Sequence, residues 1–98
     1  MPTFEELKRL ICENKNEPEV WLIINGKEYM IIGYEGKCSF QRCGAKGTGS
    51  GEFYYGSLDE LYTAETVDGI ILKRDWDRIT EIYSYDLDVY TRSVLLRS

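Results

Sequence analysis

Apolar residues occupy both parities of two consecutive segments, Val20-Trp21-Leu22-Ile23-Ile24 and Tyr29-Met30-Ile31-Ile32, with Asn25-Gly26 between them. Side chains on a strand alternate between faces, so apolar residues at both parities need cover from both directions. Asn-Gly favours a type I′ turn, whose two central residues take positive φ, and the segment therefore reads as a β-hairpin from about Glu19 to Ile32. Helices of the same chain can cover one face of this hairpin. The other face calls for a second layer or a second copy.

The remaining pattern supplies those helices and more strand. Thr3 and Glu6 form a capping box, and Phe4, Leu7, Leu10 and Ile11 follow at helical spacing, which predicts a short amphipathic helix over residues 3–14. Glu35-Gly36 is a second tight turn, and Lys37 to Arg42 alternates as a third antiparallel strand. Glycines at 44, 47, 49 and 51 mark a loop. Glu52 to Gly56 is a short aromatic, extended segment. Ser57 and Glu60 then cap a brief helix from 58 to about 64.

Asp68-Gly69 breaks the chain, after which Leu72, Trp76, Ile79 and Tyr83 recur at helical spacing and predict a second helix over roughly 71–82. From Tyr83 the period changes to two, with Tyr83, Tyr85, Leu87 and Val89 alternating against Ser84, Asp86, Asp88 and Tyr90. This predicts a late fourth strand, with Val94-Leu95-Leu96 extending it or packing as a tail. The expected fold is α+β in one domain over residues 1–98. An antiparallel meander of three to four strands carries an N-terminal helix and a C-terminal helical segment, 57–82, packed on it.

Composition narrows the functional classes. The chain has 98 residues and a net charge of −5, with 43% hydrophobic and 13% aromatic residues, as befits an ordinary globular chain. Residues 1–49 hold seven Lys/Arg and seven Asp/Glu, whereas residues 50–98 hold five and ten. An acidic second half disfavours direct binding to a nucleic-acid backbone and suits a basic protein surface. The N-terminus lacks a basic segment and an apolar signal core, and no stretch reaches the length of a membrane span, so a cytoplasmic protein is expected.

Chemistry-bearing constellations are sparse. Cys12, Cys38 and Cys43 form an odd set that reads as free thiols, and with no histidine in the chain neither a zinc site nor a histidine-activated nucleophile is expected. Arg42 and Lys46 beside the Gly44–Gly51 loop outline an anion or phosphate site, which requires both cations to converge on a pocket, although the spacing is not that of a P-loop. Asp59 with Glu60, Asp75 with Asp77, and Asp86 with Asp88 are paired carboxylates whose spacing fits a solvated surface. Charges at Arg74, Asp75, Asp77, Arg78 and Glu81 interleave at i, i+3 on the second helix.

Eight tyrosines remain the outstanding chemical feature. Tyrosine joins a large apolar body to a polar tip, which suits surfaces that are wet when free and dry in a complex. The expectation is a small acidic, non-enzymatic protein-interaction module without a cofactor or metal. It contacts a protein partner or a second copy of itself, as in a homodimer, through Trp21, Tyr54, Tyr55, Trp76, Tyr83 and Tyr85. Two alternatives stand beside it: an inhibitor of the phage-encoded kind that mimics nucleic acid in a basic groove, and a small-ligand or phosphate binder at the glycine loop.

Overall fold

The computed structural model describes residues 1–44, 47–87 and 89–90. Lys46, Asp88 and Val94-Leu95-Leu96 lie outside the described residues. Helix α1 (Phe4–Glu13) precedes strands β1 (Glu19–Ile24), β2 (Lys27–Tyr34), β3 (Lys37–Arg42) and β4 (Phe53–Tyr55). Helix α2 (Leu58–Thr63) and helix α3 (Leu72–Asp75) follow, with 3₁₀ turns at Val67–Gly69 and Trp76–Arg78, and strands β5 (Ile79–Ser84) and β6 (Val89–Tyr90) come last. All strand pairs are antiparallel, in the order β4-β3-β2-β1-β5-β6. The class is α+β as expected. The sheet is larger, with five strands of at least three residues and a two-residue sixth in place of three to four.

Local signals explain the first half. Thr3 accepts from the Glu6 N–H at 3.1 Å while Glu6 Oε1 accepts from the Thr3 N–H at 2.8 Å, a complete capping box. Asn25 and Gly26 take φ of 52° and 79°, as a type I′ turn requires, and Gly26 meets no steric obstacle there. That two-residue turn fixes the register from Ile24 opposite Lys27 to Glu19 opposite Ile32. Ser57 accepts from the Glu60 N–H at 3.0 Å, and Glu60 reaches back to the Gly56 N–H at 3.0 Å, one residue earlier than a standard box.

The helix expected over 71–82 is corrected. Helical geometry ends at Asp75, a 3₁₀ turn spans Trp76–Arg78, and β5 starts at Ile79 and ends at Ser84, so the last strands are not one run from Tyr83. Ile79 and Ile82 are both buried on the same face although three residues apart. The cause is a β-bulge: Ile24 pairs with Ile79 but Ile23 pairs with Glu81, which leaves Thr80 as an extra residue. The residues that suggested a helix, Ile79 and Tyr83, thus fall on opposite faces of the sheet, Ile79 on the core and Tyr83 beside Trp21.

Asp75 ties the end of the helix back to its start. Its side chain is 6% exposed and accepts from Arg74 Nε and Nη2, each at 2.9 Å, and from the Ile71 N–H at 3.1 Å, with Arg78 Nε at 3.9 Å. The expected Arg74–Asp77 and Arg78–Glu81 ladder therefore gives way to a cluster on one buried carboxylate.

The described helices all lie on one face of the sheet. Phe4, Leu7 and Ile11 of α1, Leu58 and Leu61 of α2, and Leu72 of α3 join one core with Val20, Leu22, Ile24, Ile31, Phe40 and Ile82. Gly33 lets α1 come close, since a Cβ there would stand 2.5 Å from Ile11 Cγ2. Trp76 completes this layer, edge-on to Phe4 at 5.5 Å. No helix among the described residues is long and apolar enough to cross a membrane.

Arg74 holds the Asp75 carboxyl down to about 2, against the opposing effect of burial. The folded value lies below the unfolded one, about 3.9, so this stabilisation is complete above that pH and is lost as pH falls toward about 2. Allowing for screening at exposed Arg74, Asp75→Asn is expected to cost about 1–2 kcal/mol at neutral pH. Urea unfolding should show a shallower loss of stability for the variant between pH 4 and about 2. Parallel acid limbs for the two proteins would contradict this account.

Candidate interaction surface

Strand parity sorts the aromatic residues. Val20, Leu22 and Ile24 point to the helices, so Trp21 and Ile23 point to the opposite face, and register carries that face across the sheet. Gln41, Met30, Trp21 and Tyr83 form one cross-strand row over β3, β2, β1 and β5. Ile32 pairs with Ser39 and Ser39 with Tyr54 in the neighbouring row. None of the described helices lies on this side. Trp21, Ile23, Met30 and Tyr83 are half-buried, while Tyr54 and Tyr85 are 55% and 85% exposed.

At one end stands a three-ring group. Trp21 and Tyr83 stack at 5.4 Å with an interplanar angle of 10°, and Tyr85 sits edge-on to both, at 6.3 and 6.0 Å. Such pairs stabilise by about 0.5–1.5 kcal/mol beyond their area, so the group is a preformed platform. Tyr83 donates to Glu28 Oε2 at 2.8 Å. Asp86 Oδ2 accepts from the Glu19 N–H at 2.9 Å and its carbonyl accepts from Asn14 Nδ2 at 3.3 Å, which fixes the turn that carries Tyr85.

The other end is organised by Glu52. Its Oε1 accepts from Tyr34 and from Ser39 Oγ, each at 2.6 Å, and its Oε2 accepts from the Tyr54 hydroxyl at 3.2 Å. The hydrogen bonds from Ser39 and Tyr34 pull the Glu52 carboxyl below its ordinary value. Lys37 Nζ stands 4.4 Å over the Tyr54 ring and 5.6 Å over that of Tyr34. This end is closed by its own cation and anion.

Of the residues singled out in the sequence, Trp21, Tyr83 and Tyr85 come together, and Tyr54 shares their face at its far end. Tyr55 has the opposite parity and packs against the core, where burial raises its phenol. Trp76 belongs to the helical layer and donates from Nε1 to the Pro2 carbonyl at 3.2 Å. Tyr34, Met30, Glu28 and Glu52 were not singled out. The signal for Met30 and Glu28 was present, because a two-residue turn sets Trp21 opposite Met30 and Ile23 opposite Glu28.

Arg42 serves the fold. Its Nε and Nη2 donate to the Thr48 carbonyl at 3.1 and 3.0 Å, and its Nη1 to Asp68 Oδ1 at 2.7 Å; Asp68 Oδ2 accepts from Tyr29 at 2.8 Å. This chain ties the glycine loop to the Val67–Gly69 turn. Asp59 pairs with Lys8 at 3.0 Å, so Asp59, Glu60, Asp75 and Asp86 each hold a structural contact.

Cys38 is buried with its thiol pushed up to about 11, chiefly by burial, and Cys43 is raised for the same reason. Cys12 is exposed and lines two shallow cavities, of about 310 and 220 Å³, between α1 and the β2–β3 turn. No group of three or more metal-ligating side chains occurs among the described residues. Comparisons with protein-family models, with curated proteins and with solved structures give no match.

Two phenols report the state of the surface. The hydrogen bond to Glu52, aided by burial, pushes Tyr34 up to about 12, while burial, then the bond to Glu28, pushes Tyr83 up to about 12. A raised phenol favours the neutral form in the fold, so this stabilisation is whole below about pH 10 and is lost as pH rises through about 12. Ultraviolet titration should show that Tyr34→Phe and Tyr83→Phe each remove a phenol ionising near 12. Removal of one ionising near 10 would contradict the geometry.

Proposed function

We propose that this chain is a non-catalytic protein-interaction module and that it meets its partner through the sheet face opposite the helices. The observation that carries the reading is the Trp21–Tyr83–Tyr85 group, an aromatic platform on a face that carries none of the described helices. Aromatic residues on rigid strands lose little side-chain entropy on binding and supply much of the energy at interface centres. The hydroxyl–carboxylate bonds at Tyr83 and Tyr34 hold their rings in place before a partner arrives.

The loop reading is less well supported. Arg42 spends its guanidinium on Thr48 and Asp68, so half of the suggested anion site is occupied by the fold itself. The inhibitor reading uses the same acidic second half and differs only in the partner it names.

The test uses the purified 98-residue chain as bait in extract of the cells that make it. A Trp21→Ser/Tyr85→Ser variant should lose the proteins that wild type cross-links, while an Arg9→Ser/Lys73→Ser variant on the helical side should retain them. Circular dichroism verifies that both variants fold. Identical cross-linked sets for all three baits would refute the assignment of this face.

A further inference from the structure

The two ends of the aromatic face differ in charge, and that difference points to the partner's chemistry. At the Tyr34–Tyr54 end, Lys37 already stands over a ring and Glu52 already accepts three hydroxyls. At the Trp21–Tyr85 end the register places Glu19 and Glu28 on the same face as Trp21, and Asp86 follows Tyr85. Glu19 and Glu28 form no salt bridge with a described Lys or Arg. One end pairs its rings with a lysine; at the other, Glu28 accepts from Tyr83 and Asp86 from the Glu19 N–H, but no described Lys or Arg pairs with Glu19 or Glu28.

We infer that the Trp21–Tyr85 end receives an arginine- or lysine-bearing segment of a partner protein, with the cation over the indole or phenol face and beside Glu19 and Glu28. The inference rests on the proposed role of this face and adds the partner's class. An indole face is the strongest aromatic site for a cation, and flanking carboxylates add charge-assisted hydrogen bonds. The Lys37–Tyr54 contact is the same interaction made within the chain.

A second copy of the chain is a poorer occupant. A two-fold contact through this end would bring two copies of the patch bearing Glu19, Glu28 and Asp86 together, and like charges across an interface are unfavourable. Apolar strand residues Ile23 and Met30 beside Trp21 provide for the uncharged side chains of an incoming segment.

The probes are two decapeptides of equal apolar content, alternating Arg-Val and alternating Glu-Val, titrated into the full chain by calorimetry at low and at high salt. The Arg-Val peptide is expected to bind about tenfold or more tightly than the Glu-Val peptide, and to weaken with salt. Glu19→Gln/Glu28→Gln and Trp21→Ser should each weaken it by about tenfold, whereas Glu5→Gln/Glu13→Gln on α1, with equal loss of charge, should leave it within about twofold. Equal affinity for both peptides, lost in Trp21→Ser, would overturn the charge inference and leave the interaction face standing. Arg-Val binding that ignores both Trp21→Ser and the Gln pair would overturn both.

Discussion

A β-sheet has two faces, and this chain's described helices cover one. Everything else follows from how that asymmetry is handled. Burying Val20, Leu22, Ile24, Ile31, Phe40 and Ile82 beneath Phe4, Leu7, Ile11, Leu61 and Leu72 supplies the core. The same alternation that aims those residues inward aims Trp21, Ile23, Met30 and Tyr83 outward. These outward residues stay half-buried, Trp21 and Tyr83 by stacking on each other; Glu28 holds the Tyr83 hydroxyl, and Glu52 those of Tyr34 and Tyr54 farther along the face.

Rigidity of this kind bears on the role proposed for the face. A surface of loose apolar side chains would bind anything or aggregate, whereas stacked rings with fixed hydroxyls present one shape. Glu19 and Glu28 place negative charge on the same face as Trp21. At the described edge, β4 has three residues and so offers no long template for further strand pairing.

Much of the fold was legible in the chain. Thr3 with Glu6, Asn25-Gly26, Gly36 and Ser57 act over a few residues, and signals of that range appear in sequence with their mechanism attached. The end of the second helix was hidden because Ile79 and Tyr83 fall at a helical spacing in sequence, whereas the bulge at Thr80 puts them on opposite faces of the sheet, and Asp75 reads as a surface charge until its partners Arg74 and Ile71 are in place. The aromatic face was partly legible. Trp21 and Tyr83 were nameable as aromatics, but their stack depends on β1 pairing with β5, a contact between residues 62 positions apart that no local pattern specifies. Tyr34 and Tyr54 share Glu52 for the same reason, through pairing of β2, β3 and β4. Tyr55 and Trp76 show the converse: tyrosine or tryptophan alone does not say which face it joins.

The most direct measurement compares two neighbours on β1. In a chain whose native cysteines are replaced by serine or alanine, Leu22→Cys and Ile23→Cys are each exposed to a thiol reagent under native conditions. The account predicts that Ile23→Cys reacts by way of the native surface, while Leu22→Cys reacts only as fast as global unfolding allows. Equal protection at both positions would mean that a second layer covers the sheet, and the account of a contact-making face would fail.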